Sequence, residues 1–212
     1  GVIRLRSLPS FLNKWLMPRL PRLQARFPDI ELHITAEDSN ISLRDGDFDL
    51  ALDLNDGHYP GLAITPLMQE RIFPVCSPGL LKGRPPLRRP EDLAWYPLLH
   101  DITAWRGSQE YGEWRHYLSA IGAPSINLER GYTFNRNHLT MEAAIAGMGV
   151  AIARETLITS ELKSGALIAP FRARVDSGKQ YGIVHAAGAT DDRRVKAVHD
   201  WLVEEASRST NH

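Results

Sequence analysis

Apolar and basic residues alternate through Val2-Ile3-Arg4-Leu5-Arg6, the period-2 pattern of a strand. Ser7-Leu8-Pro9-Ser10 then turns the chain into helical spacing, with Phe11, Leu12, Trp15, Leu16, Leu20, Leu23 and Phe27 on one stripe and Ser10 as the expected cap. Pro18 and Pro21 fall inside that stripe and predict a kink or break. Residues 30–36 alternate cleanly as a second strand. Leu43-Arg44-Asp45-Gly46 reads as the close of a short helix, with Gly46 as its left-handed stop. Residues 47–54 form a third strand, and Asn55-Asp56-Gly57 has turn chemistry. Strand, helix, strand, helix, strand is the order of a parallel sheet with crossover helices.

A second, similar unit begins with a strand over residues 71–77. Pro90-Glu91-Asp92-Leu93 has proline in the first turn of a helix, and residues 97–100 are a short strand. A helix over 111–121 buries Trp114, Leu118 and Ile121 and stops at Gly122. Residues 130–134 are extended; residues 137–146 are helical, capped by Asn135 or Asn137. Gly147-Met148-Gly149 leads into a strand over 150–153, and a helix over 155–163 is closed by Gly165, before residues 166–171. The chain ends with a strand over 180–186 and an amphipathic helix over 192–207 that buries Val195, Val198, Trp201, Leu202 and Val203.

Composition narrows the function classes. Lys plus Arg is 25 and Asp plus Glu is 25, so the formal net charge is zero, without the basic excess by which nucleic-acid modules neutralise phosphates. The densest basic stretch, 82–89, is broken by Pro85 and Pro86 and reads as a solvated loop. The single cysteine, Cys76, excludes an internal disulfide, suits a reducing cytoplasm and sits in an apolar run as a buried structural thiol. No apolar stretch approaches the roughly 20 residues that span a bilayer.

Topology alone nominates site residues, because open parallel sheets bind ligands beyond the carboxyl ends of their strands. The first strand-to-helix turn offers Ser7, Ser10 and the N–H groups of Ser10 and Phe11, a start suited to a carboxylate. The third strand ends at Asn55-Asp56; in the second unit the ends are His100-Asp101 and Phe134-Asn135. Each has a structural alternative: Ser10, Asn135 and Asn137 cap helices, Asn55-Asp56-Gly57 makes a plain turn, and His100-Asp101 forms a hydrogen-bonded pair. Catalytic and metal residues are expected to be absent. There is no Gly-x-Ser-x-Gly elbow, and His33, His58, His116, His185 and His199 are too scattered for a metal set. Gly147-Met148-Gly149 runs from helix to strand, opposite in order to a dinucleotide loop, and is a tight helix exit.

Several segments in this order and spacing resemble the regulatory domain of LysR-type transcription regulators. They are Pro18-Arg19-Leu20, Phe27-Pro28, Gly46-Asp47-Phe48-Asp49-Leu50-Ala51, Pro74-Val75-Cys76-Ser77-Pro78, residues 143–151 and Gly165-Ala166-Leu167. Leu99-His100-Asp101 with Trp114 resembles the subgroup of the glycine-cleavage, β-lactamase and D-serine deaminase activators. The resemblance implies an α/β fold of two Rossmann-like lobes, of periplasmic-binding-protein type, joined by two crossover hinge strands. Lobe I would be 1–75 plus 179–212 and lobe II 77–177, with hinges near 75–77 and 173–178. It implies a small-molecule effector, an amino acid or other small carboxylate, between the lobes, contacted by Ser7, Ser10 and Phe11 and by His100, Asp101, Phe134, Asn135 and Gly149. It also implies a cytoplasmic homodimer, tetrameric in the full-length protein, without cofactor or membrane. DNA would be bound only through an amino-terminal winged helix-turn-helix that is missing here, since Val2 already opens the first sensory strand. Two rivals share the scaffold: a periplasmic solute-binding protein, and an enzyme using His100-Asp101 as its acid–base pair.

Overall fold

The structure, a computed structural model, describes residues 1–39, 41, 46 and 48–210. Its elements begin with β1 (Val2–Ser7), α1 (Pro9–Phe11), α2 (Leu20–Arg26), β2 (Glu31–Ala36), β3 (Leu50–Asn55) and β4 (Ala63–Val75). They continue with β5 (Leu98–Asp101), α3 (Gly112–Ala120), β6 (Tyr132–Phe134), α4 (Asn137–Ile145) and β7 (Val150–Arg154). The last are α5 (Thr159–Ser164), β8 (Val175–His185) and α6 (Arg193–Thr210). The chain divides into two compact units, Gly1–Glu70 with Gly178–His212, and Arg71–Ser177. β4 and β8 each run from one unit into the other.

In the first unit the strand order is β2-β1-β3-β8, with β1 parallel to both neighbours and β8 antiparallel to β3. Register pairs Leu5 with Leu50, and Leu52 with both Ser7 and Ile183, so these residues share one face of the sheet. Phe11 stacks on Tyr181 of that face, and Trp15 Nε1 donates to Ser209 Oγ of α6 at 3.3 Å. Buried Val195, Val198, Trp201 and Leu202 form the inner stripe of α6. Val203, expected inside, is 36% exposed: it adjoins the stripe but lies past its edge, and Glu205 and Ala206 are buried instead.

The helix after β1 departs from expectation at its start. Leu8, not Ser10, is the cap residue, and no side chain caps it. Pro9 occupies the first helical turn, where its fixed φ fits and its missing N–H costs nothing, which moves Ser10 inside the helix. The prolines do not break the run. A π turn over Leu12–Leu16 and a 3-10 turn over Met17–Arg19 change the hydrogen-bond spacing, and Pro18 and Pro21 both fall in the first positions of new helical segments. The helix expected at Leu43-Arg44-Asp45 lies outside the described residues, as does Asp47, and the third strand begins at Leu50.

In the second unit the order is β4-β7-β5-β6, with β5, β6 and β7 parallel and β4 antiparallel to β7. Ile72, Phe73, Leu98, Leu99, Trp114, Ala151 and Ile152 are core residues. Trp114 Nε1 donates to the Leu99 carbonyl at 3.0 Å, tying α3 to the central strand β5. Arg136 is the cap residue of α4, without a side-chain cap bond, in place of Asn135 or Asn137. At the other end of α4, Gly147 takes φ +81° while its N–H reaches Ala144 O and that of Met148 reaches Ala143 O, the tight exit expected there.

Candidate ligand site

In the first unit Ser7 ends β1 and is fully buried. Its carbonyl accepts the Glu37 N–H at 2.9 Å and its hydroxyl donates to Leu8 O at 3.1 Å. The Leu8 N–H donates to Leu52 O at 3.2 Å, fixing the turn against β3. The helical ladder opens with Leu12 N–H to Leu8 O at 2.9 Å. The N–H groups of Ser10 and Phe11 precede that bond and are the donors a helix start leaves for an acceptor outside it. The Phe11 ring is no contact surface: it is 1% exposed and stacked at 4.9 Å on Trp15 and 4.5 Å on Tyr181. Only its backbone can serve a ligand.

Asn55 is placed differently from Ser7. Ser7 pairs with Leu52, so Asn55 lies three residues further along, about 10 Å at the usual rise, and points to the opposite face. Its Oδ1 accepts the Gly57 N–H at 2.8 Å, while its Nδ2 is buried without a partner. Asp53, on that same face and 1% exposed, accepts from Tyr59 OH. Arg6, also there and 7% exposed, donates to Ser39 and lies 3.6 Å from Glu37. Asp56 is exposed on the turn.

In the second unit Asp101 ends β5 and pairs in register with Phe134. Its Oδ1 accepts the Thr103 N–H at 2.9 Å and the Thr103 hydroxyl at 2.8 Å; that hydroxyl is also 3.1 Å from Asn135 O. Ile102 N–H donates to Phe134 O at 3.0 Å. Asp101, Phe134 and Asn135 are therefore brought together, through Thr103. Phe134 is half-buried and the Asn135 side chain is exposed.

His100 stands apart from that group. It pairs with Thr133 and points to the face opposite Asp101, so the His100-Asp101 hydrogen bond weighed as the structural alternative does not form; strand alternation forbids it. The ring is 3% exposed and lies 4.5 Å from the Tyr111 ring. Burial pushes its pKa below the ordinary value, opposed by the Leu128 and Arg130 carbonyls and by Glu110. Those carbonyls face the ring, yet neither nitrogen reaches hydrogen-bond geometry with any group. Tyr111, which covers it, has φ +59° and is the one non-glycine residue in the left-handed region among those described. Gly149 has a packing reason for its identity: a Cβ there would sit 2.6 Å from Pro97 O.

Sequence reasoning passed over two buried cations at strand ends. Arg6, already described, is one. Arg154, the last residue of β7, is 6% exposed and shares the His100 face; it donates to Ala104 O at 3.1 Å and to Glu113 Oε2 at 3.4 Å. The signal was legible: a charged residue closing an apolar strand at its carboxyl end. Cys76 is buried, and its thiol is pushed up to about 11 by burial. Among the described residues no group of three or more His, Cys, Asp or Glu is arranged for a metal ion.

Comparison with known proteins places this architecture. The profile of the LysR substrate binding domain matches residues 1–207. The chain is similar to the glycine cleavage system transcriptional activator of Escherichia coli (strain K12), 33% identical over 207 residues, covering 98% of this chain and 66% of that protein. It is also similar to the HTH-type transcriptional regulator DsdC of Escherichia coli (strain K12), 31% identical, covering 99% of this chain and 67% of that protein. Among solved structures, the effector domain of the transcriptional regulator AmpR of Pseudomonas aeruginosa superposes with a TM-score of 0.84 at 25% identity, over 100% of this chain and 98% of that one. These relatives are transcription regulators, and the chain spans just under two thirds of the length of the first of them. With its two α/β units and a profile match over nearly its whole length, the chain belongs to the LysR substrate binding domain family.

Proposed function

We propose that this domain binds a small-molecule effector, an amino acid or related small carboxylate, on behalf of a cytoplasmic transcription regulator. The observation that carries the reading is the helix start after β1: the Ser10 and Phe11 N–H groups precede the first ladder bond, and no side chain caps them. The contacts assigned in the first unit are Ser7, Ser10, the Phe11 backbone, Asn55 and Asp56. Those in the second are His100, Asp101, Phe134, Asn135 and Gly149. Among the described residues no helix is long and apolar enough to cross a membrane. DNA contact belongs to a part of the regulator outside the matched stretch, as the helix-turn-helix in a relative's name suggests. The family reading also assigns a homodimer through this domain and a tetramer of the full-length protein. The effector acts by binding two conformations unequally, since it can shift a population only by that difference.

Titration calorimetry against the common amino acids and small dicarboxylates tests the effector class. One member is expected to bind, and Ser10→Ala to weaken it by about tenfold, the worth of one hydrogen bond to a charged group. The melting temperature is expected to stay put, because the Ser10 side chain caps nothing. Absence of heat across the whole panel refutes the effector class; unchanged affinity in Ser10→Ala removes the Ser10 hydroxyl from the site and leaves only its backbone N–H there.

A further inference from the structure

His100 is assigned to the effector site, yet its own unit seals it off. The ring is 3% exposed and neither Nδ1 nor Nε2 has a partner, although buried polar groups are ordinarily hydrogen-bonded. The Leu128 and Arg130 carbonyls face the ring without closing a hydrogen bond. The Tyr111 ring lies against it at 4.5 Å between centroids, tilted by 55°. A side chain that is to touch a solute cannot do so from beneath that cover.

Tyr111 keeps its place at a conformational cost. The Gly112 N–H donates to Gln109 O at 3.0 Å, which makes Tyr111 the third residue of a four-residue turn. Its φ is +59°, and positive φ at that position is what a type II turn reserves for glycine. Here the glycine stands one position later, at Gly112. The contacts that hold Tyr111 include short-range ones. Its hydroxyl bonds the Glu110 carboxylate, its carbonyl accepts the Arg115 N–H at 3.0 Å, and the Arg115 guanidinium lies 6.0 Å from its ring centre. α3 is anchored separately, by buried Trp114, Tyr117 and Leu118. The half-buried tyrosine can therefore turn outward while the core face of α3 stays packed.

We propose that Tyr111 is a gate over His100, and that turning it out of the left-handed region uncovers the imidazole for the effector; this rests on the assignment of His100 to the effector site. One movement relieves two local penalties, the strained backbone of Tyr111 and the unsatisfied nitrogens of His100. The stacked rings and the Glu110 bond favour the closed form, so the open form is the minor one. An effector recruits that form, and its apparent affinity is reduced by the fraction of molecules that are open. Burial keeps the ring neutral, with one N–H to donate to a carboxylate. A tyrosine that merely packed would instead keep His100 covered until the whole unit unfolded.

The test uses the whole chain and diethyl pyrocarbonate, which acylates neutral imidazole nitrogens. The product is read by mass spectrometry of the tryptic peptide 89–106, in which His100 is the sole histidine. In the parent, His100 should react slowly and at a rate unchanged by about 1 M urea, because local opening exposes little surface. Tyr111→Gly should react at least about tenfold faster, since a minor state holds at most about a tenth of the molecules. Tyr111→Asn, which also accepts positive φ, should do the same and decides the matter if the glycine variant folds poorly. A parent rate that climbs with urea in step with global unfolding, or variants that react no faster, overturns the gate. The effector reading fails separately: absence of heat across the amino-acid and dicarboxylate panel leaves these rates, and the gate, standing. A panel member that binds should shield His100 from the reagent and bind Tyr111→Gly about tenfold more tightly; binding without either change overturns the gate's part in admitting it.

Discussion

Glu205 is 2% exposed on α6, yet it is a carboxylate. Arg22 grips it through two nitrogens, with Nε at 3.2 Å, while Arg19 Nε stands 3.7 Å and Arg208 Nη1 3.6 Å away. Arg19 is held in turn by Trp15 O at 2.7 Å and Ser209 Oγ at 2.9 Å, and it lies 4.6 Å over the Trp15 ring. Glu205 thus ties the helical run after β1 to α6. Removing one partner of a buried pair costs about 3–5 kcal/mol when the other stays stranded. Here Arg22 and Arg208 are 56% and 62% exposed and can turn to water, leaving Arg19, 23% exposed, as the stranded cation. Glu205→Ala should therefore cost less than the full figure, about 2–3 kcal/mol, or about 5–10 °C for a chain of this size.

The control is its neighbour. Glu204 also pairs with two arginines, Arg26 and Arg208, but 39% of its side chain is exposed, and exposed pairs are screened and entropically costly. Glu204→Ala should melt indistinguishably from the parent. Urea unfolding followed by tryptophan emission suits the comparison, because Trp15 sits inside the cluster. Glu205→Gln, which keeps shape and a hydrogen-bond acceptor, should fall between. Equal midpoints for Glu204→Ala and Glu205→Ala would refute the argument that burial, and not the number of charges, sets the value.

Two further outcomes follow from the second unit. Gly149→Ala places a methyl 2.6 Å from Pro97 O and 3.1 Å from Leu99 Cγ, so the backbone must shift; a loss of about 1–3 kcal/mol in thermal unfolding is expected, and none would show that the entry to β7 is loose. His100 has its folded pKa lowered from 6.5, so below 6.5 the unfolded chain binds a proton that the folded chain resists. Stability should fall as pH drops through that value, and His100→Leu should flatten the fall; an unchanged pH profile would show that the ring is not held neutral.

What the sequence made legible follows its local periods. The period-2 runs at β1 and β2 and the 3.6-period stripes of the run after β1, α3 and α6 are where the pattern predicts them. The first half of β4 was illegible: the pattern marks a strand only over residues 71–77, whereas one strand runs from Ala63 to Val75 with Pro66 and the polar Gln69 and Glu70 inside it. The first half of β8 hid behind Asp176-Ser177-Gly178-Lys179, turn chemistry that here runs on within the strand, with Gly178 at φ +78°. Cap assignments at Ser10 and at Asn135 or Asn137 failed because side-chain propensity is a weaker constraint than the position of a proline or of the first ladder bond. The family itself was readable from dispersed segments in order, and the profile match over residues 1–207 agrees.

The site shows why placement and partnership are different problems. Topology put His100 and Asp101 at the carboxyl end of a strand, which is where β5 ends. The same alternation that identifies a strand also sends neighbours to opposite faces, so a pairing between adjacent residues was excluded by the rule that located them. Glu113 with Arg154 and Arg22 with Glu205 are separated by 41 and 183 residues, and no local pattern joins groups so far apart. What does mark them is incongruity: a charged residue where the period demands an apolar one, as at Arg154 and Glu205. A buried charge must find a counter-charge or a fixed dipole. Each such break in period therefore predicts a long-range partner even when the sequence does not reveal which residue it is.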